Sequence, residues 1–122
     1  LALDLAALGI SVNCAPVLDV PEAGAHDIIG DRAFGAEPAA VAALGAALVG
    51  GFALSGVVGV VNHIPGHGRA LADSHEALPR VTASIEALNR DLAPFKALAH
   101  APMAMTAHIV YDVTLFIVLF KN

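Results

Sequence analysis

Apolar positions fall first at helical and then at strand spacing, and the alternation repeats along the chain. "LALDLAALG" spaces its leucines and alanines as one helix face and closes on Gly9, a residue suited to the left-handed turn that ends a helix. "ISVNCAPVLDV" follows with Ile10, Val12, Val17 and Val20, a strand closed by Pro21. After the loop "PEAGAHDIIGDRAFGAE", Pro38 opens a helix that runs to about Leu54, since a first-turn proline gives up no helical hydrogen bond. "GVVGVV" then reads as a buried strand. Further on, Ser84 caps "IEALNR", and Pro94 forces a break or a second start. "APFKALAHA" leads into "PMAMTAHIVY", residues 102 to 111, as a third strand with Met103 and Met105 in the core. Strands separated by helices of this length pair in parallel, so the fold class is α/β. Periodicity alone does not separate an open sheet from a closed barrel.

Composition narrows the picture. A chain of 122 residues makes at most one modest domain. Eleven acidic against six basic residues give a net charge of −5, which removes the electrostatic footprint that nucleic acid requires. Residues 39 to 61 carry no charge, but Gly50, Gly51, Ser55 and Gly56 interrupt them and β-branched residues crowd only the end. They therefore read as helix, turn and strand, with no membrane span. Cys14 is the only cysteine; it forms no intrachain disulfide, fits a reducing compartment and packs as a small hydrophobe. The chain opens at Leu1 without methionine or a basic stretch, so no signal peptide is expected.

In parallel α/β folds ligands bind where strands end, and the polar clusters lie at those places: "DVPEAGAHDIIGDR", "NHIPGHGRALADSH" and "TAHIVYD". Three strand ends thus converge on one face. His63 and His67 have the spacing of a helical zinc pair, but Pro65, Gly66 and Gly68 disfavour a helix and no glutamate stands between them. The assignment is no metal. A glycine-rich turn whose histidines bond the backbone is one alternative reading of the stretch. Asp73 and His75 offer another. Two apart in an extended segment, they face one side, so the carboxylate can hold one imidazole nitrogen and leave the other for proton transfer. Asp19 could face a ligand at the strand end, but a strand-end aspartate more often caps the following turn; His26, Asp27 and Asp31 read as shaping the loop that carries Arg32. His67 braces its loop, and His108 either lines the pocket or serves the core.

"NCAPVLDV", "HDIIGDRAFG", "HIPGHGRALADSHEALP" and "MAMTAHIVYD", in this order and at these separations, resemble the β-N-acetylhexosaminidases of glycoside hydrolase family 3. The resemblance implies a partial TIM-like (β/α)₈ barrel with about three βα units, residues 1–112 belonging to the catalytic barrel and 113–122 forming a divergent apolar tail. It implies a retaining hydrolase that releases terminal N-acetyl-β-D-glucosamine from peptidoglycan-derived muropeptides, in the cytoplasm, during cell-wall recycling. His75 would be the acid/base with Asp73 as its partner, in place of the glutamate that most glycosidases use. Arg32 and His63 would bind the sugar, as would Asn62, which stands where the family usually has lysine. No cofactor is implied. The family's nucleophilic aspartate lies beyond "AHIVYD", where this chain reads "VTLFIVLFKN", so the 122 residues are expected to be inactive alone. A truncated product or a small sugar-binding α/β module is the non-catalytic alternative. "VTLFIVLF", residues 113 to 120, is uncharged and too short for a bilayer, hence a buried strand or a self-associating segment.

Overall fold

The computed structural model describes residues 1–112, so the apolar segment 113 to 120 lies outside the described residues. Helix α1 (Ala2–Ala7) ends before Gly9, whose φ of +75° turns the chain into β1 (Val12–Asn13). A 3₁₀ turn at Gly30–Arg32 interrupts the long loop that leads to α2 (Pro38–Leu54). Then come β2 (Val58–Ile64), β3 (Arg80–Val81), α3 (Ile85–Ala97), β4 (Met103–Thr106) and β5 (Val110–Tyr111). The peptide bonds Ala15–Pro16, Asn62–His63 and Ile64–Pro65 are cis.

Strands β1, β2 and β4 form a parallel sheet in that order, with Val12 opposite Val58 and Val61 opposite Ala104. The helices between them, α2 and α3, pack on β2 and on each other, which puts both on the same face of the sheet. Consecutive strand order with helices on one face is the arrangement of a barrel wall; an open doubly wound sheet carries helices on both faces. The core lies between these layers. Leu18, Val20, Val41, Val61, Phe95 and Leu98 form one buried cluster, so α2, α3, β2 and the segment after β1 share a single apolar interior. The uncharged stretch 39 to 61 resolves into α2 and the start of β2, and no helix among the described residues is long and apolar enough to cross a membrane.

Several elements differ from their expected form. The first strand stops at Asn13 because Pro16 has no N–H to give; pairing resumes where Asn62 N–H donates to Pro16 O at 3.1 Å and Leu18 N–H to Asn62 O at 2.6 Å. Pro94 lies inside α3 and does not break it. It is the tenth of thirteen residues, so only the Arg90 carbonyl loses its helical donor, and its ring is fully buried. The run 102 to 111 divides between two sheets: β4 pairs with β2, whereas β5 pairs with β3. Met103 and Met105 are not core; they are 48% and 39% exposed, because β4 is the sheet edge among the described residues. Cys14 is likewise exposed and does not pack as a hydrophobe.

Candidate active site

The three polar clusters do meet at the carboxyl ends of the parallel strands. A cleft of about 70 Å³ there is lined by Arg32 from the loop after β1, by His63, His67, Ser74 and His75 from the end of β2 and its loop, by Thr106 at the end of β4 and by His108 beyond it. A larger depression of about 530 Å³, bordered by Glu22, Arg69, Arg80 and Ser84, holds none of the histidines. Chemistry of the kind the sequence suggests is confined to the smaller cleft.

His63 is the penultimate residue of β2 and so is carried on regular structure, not on a loop. Its ring Nδ1 lies 2.7 Å from Asp19 Oδ2, and its backbone N–H donates to Asp19 Oδ1 at 3.3 Å. His67 N–H donates to the same Oδ1 at 2.7 Å. Asp19, expected to cap a turn, is instead fully buried beneath the histidine loop. The sequence carries a signal for this: an acid between Leu18 and Val20 in an apolar strand must find partners, because a buried charge without them is costly. His67 is buried and braces the loop as expected, its Nε2 lying 3.0 Å from Ser74 Oγ. Burial pushes its imidazole below the ordinary value and so favours the neutral ring.

Asp73 and His75 also meet, though not through an extended segment. His75 N–H donates to Asp73 Oδ1 at 2.8 Å, and Glu76 N–H donates to Asp73 O at 3.1 Å, so residue 73 opens an Asx-type turn. The same Oδ1 lies 2.9 Å from His75 Nδ1. Donation from the His75 backbone N–H, reinforced by its ring, holds the Asp73 carboxyl below the usual carboxylate range. An ionised carboxylate only accepts, so Nδ1 carries the hydrogen and Nε2 is left for proton transfer. The His75 side chain is 76% exposed at the rim of the cleft, accessible to a leaving group.

Arg32 is braced by its own turn, donating from Nη2 to Ile28 O at 2.7 Å and from Nε to Ile29 O at 3.3 Å. Asn62 is not brought into the cleft. It is 2% exposed, and its Nδ2 donates to Cys14 O at 2.8 Å, which commits the amide to holding the chain after β1 against β2. Its Oδ1 has no partner among the described residues. His108 lines the cleft and is exposed, which settles the choice between pocket and core. No group of three or more His, Cys, Asp or Glu side chains among the described residues is placed to hold a metal ion.

Close approach shapes the loop at one glycine. A Cβ on Gly68 would sit 2.0 Å from Val20 O and 2.5 Å from Val20 C, both backbone atoms, while Gly68 O accepts from Glu22 N–H at 2.9 Å. Gly68→Ala is therefore expected to push the histidine loop away from the segment after β1 at a cost of about 1–3 kcal/mol. The urea midpoint of the variant checks this, and an unchanged midpoint would contradict the close approach.

Parallel strands with helices on one face, and a cleft of histidines and an arginine at the strand ends, define one wall of an α/β barrel. The chain belongs to glycosyl hydrolase family 3: the profile of the "Glycosyl hydrolase family 3 N terminal domain" matches residues 1–114. The beta-hexosaminidase of Bordetella avium is 42% identical over 114 residues, which cover 91% of this chain and 32% of that protein. Among solved structures, NagZ from Neisseria gonorrhoeae superposes with a TM-score of 0.82 at 42% identity, covering 90% of this chain and 33% of that one. That protein has also been crystallised in complex with N-trifluoroacetyl-D-glucosamine. A family 3 beta-N-acetylglucosaminidase from Paenibacillus sp. str. FPU-7 gives a TM-score of 0.84 at 42% identity over 90% of this chain and 22% of that one. The chain spans about a third of the length of the curated relatives it matches.

Proposed function

We propose that residues 1–112 are the part of a retaining β-N-acetylhexosaminidase barrel that supplies the acid/base and one wall of the sugar pocket. The observation that carries the reading is the Asp73–His75 pair, 2.9 Å between Oδ1 and Nδ1, at the rim of a cleft that also holds Arg32 and His63. His75 protonates the leaving oxygen from Nε2 and then activates water; Asp73 holds the ring and stabilises its cationic form. Arg32 donates to sugar hydroxyls, and His63 accepts from or donates to another. The substrate class is a terminal N-acetyl-β-D-glucosaminide, in keeping with the sugar analogue bound to the Neisseria gonorrhoeae relative. Peptidoglycan-derived fragments in the cytoplasm are the source that the family resemblance favours.

A retaining mechanism also needs a carboxylate to attack the anomeric carbon from the face opposite the leaving group. None of the described residues that line the cleft is an aspartate or glutamate. The 122-residue chain alone is therefore expected to hydrolyse no aryl N-acetyl-β-glucosaminide above a His75→Ala control. Residues 1–112, grafted in place of the matching segment of the Neisseria gonorrhoeae beta-hexosaminidase, are expected to restore turnover. A folded, sugar-binding graft without hydrolysis overturns the reading. Turnover by the 122 residues overturns the requirement for a nucleophile from outside them.

A further inference from the structure

Asp19 has no place in the acid/base scheme, yet it is fully buried and paired on both oxygens. Oδ1 receives the backbone N–H groups of His67 and His63, at 2.7 and 3.3 Å. Oδ2 faces the His63 ring nitrogen at 2.7 Å. Backbone donors alone could satisfy an oxygen that merely ties a loop down. Spending the second oxygen on a ring nitrogen does something more, because a carboxylate can only accept and so dictates which nitrogen bears the hydrogen. The His63 side chain is 21% exposed and lines the cleft, so its other nitrogen is the one available to a ligand.

The network continues beyond Asp19. His67, whose N–H is held by the same oxygen, reaches Ser74 Oγ with its Nε2 at 3.0 Å. Ser74 sits between Asp73 and His75, in the turn that forms the acid/base pair. One buried carboxylate is thus connected to both functional histidines, to His63 directly and to His75 through His67 and Ser74.

We infer that Asp19 and Ser74 are positioning residues: Asp19 fixes His63 as the Nδ1–H tautomer, leaving its Nε2 lone pair to accept from a sugar hydroxyl, while Ser74, held by His67, anchors the Asp73–His75 turn to the same wall. The inference rests on the proposed sugar-binding and acid/base roles for what the positioning serves. The positioning itself stands on geometry.

The test is ¹⁵N spectroscopy of the histidine rings in the 122-residue chain without substrate, at about two pH units above the ordinary histidine value. His63 is expected to show a protonated Nδ1 and a bare Nε2. In Asp19→Asn, two backbone N–H groups still claim the remaining oxygen, so the new amide nitrogen turns toward the ring, donates to Nδ1 and moves the hydrogen to Nε2. The tautomer ratio should invert. Ser74→Ala should leave the His63 tautomer unchanged but speed amide exchange at His75 by about tenfold, the loss of one neutral hydrogen bond. Where Asp19→Asn does not fold, the unsubstituted chain and Ser74→Ala decide the matter by the same two readouts. A His63 ring protonated on Nε2 in the unsubstituted chain, or unchanged in a folded Asp19→Asn, overturns the role of Asp19. Unchanged exchange at His75 in Ser74→Ala overturns the role of Ser74.

In the grafted enzyme, Asp19→Asn is expected to raise KM by about tenfold with kcat within about twofold, since a sugar contact and not the proton transfer is lost. An equal loss in kcat would mark a general structural defect and overturn the assignment. The two readings fail separately: an inactive graft with the expected tautomer sinks only the enzymatic reading, and an active one with Nε2–H on His63 sinks only this one.

Discussion

In the grafted enzyme, His75→Ala is expected to lower kcat/KM for N-acetyl-β-glucosaminides with poor leaving groups by about 10²–10⁴-fold, the usual worth of a positioned proton donor. For activated aryl glycosides the loss in kcat/KM should be within about tenfold, because a leaving group that departs as a stable anion needs no proton. With those substrates the second step becomes limiting, since the same imidazole must then deprotonate water, so kcat and KM should fall together. Azide, a nucleophile that needs no base, is expected to restore kcat on activated substrates and to give a glycosyl azide of retained configuration. Equal losses on both substrate classes, without rescue, would show that His75 serves folding or binding. Asp73→Ala should follow the same pattern at smaller amplitude, because it frees the ring that Oδ1 holds at 2.9 Å but leaves the donor itself in place.

That a histidine and an aspartate two apart pair is legible in the sequence, but the geometry that joins them is a turn and not an extended segment. Same-side placement in an extended segment and an Asx-type turn both bring residue 73 to residue 75; only the turn adds the backbone N–H of His75 to the carboxylate. Asp and Ser are turn formers, and Glu76 and Ala77 donate back to Asp73 O, a local pattern that favoured the turn from the start. Asn62 shows the opposite case. Its place where the resembled family usually has lysine suggests the cleft, whereas its amide is held by Cys14 O, forty-eight residues away, which no local pattern announces. Asp19 lay between the two cases: its burial could be read from its apolar neighbours, but its partners could not.

The fold divides along the same line. Helix α2 is bounded by signals that act locally, Pro38 at its first turn and Ser55-Gly56 after its end, and both bounds were readable. The strand expected over 102 to 111 was one apolar run, but a strand lasts only as long as its neighbour does. Once β2 ends at Ile64, β4 has no further ladder to follow after Thr106, and the chain takes up a second partner at Val110. Pro94 illustrates a balance that propensity omits. A proline inside a helix costs about 3 kcal/mol, but near the C-terminal end, with its ring buried, packing offsets much of that.

Arg69→Met is expected to destabilise the chain by about 3 kcal/mol, because it leaves a buried carboxylate without its partner. Arg69 lies within the histidine loop and grips Asp91 on α3 with two bonds, Nε to Oδ2 at 2.5 Å and Nη2 to Oδ1 at 3.1 Å, while its Nη1 meets Glu22 Oε2 at 3.2 Å. Asp91 is 4% exposed, and a fork of this kind is not reproduced by an ammonium, so Arg69→Lys should recover only part of the loss. Asp91→Leu combined with Arg69→Met should recover most of it, since an apolar pair of similar volume removes the stranded charge. The pH dependence follows from burial, which holds the Asp91 carboxyl above its ordinary value even though the guanidinium pulls it part of the way back. Without Arg69 the pull is gone and the folded state holds the Asp91 proton more tightly still. Stability then falls as pH rises from the ordinary carboxylate range through the raised folded value. The deficit of Arg69→Met relative to the unsubstituted chain should therefore be smallest in mild acid, where Asp91 is neutral, and full near neutrality. Urea unfolding at the two pH values checks it: a deficit that is equal at both, or a double variant no better than the single one, would show that the ion pair is not what fastens the histidine loop to α3.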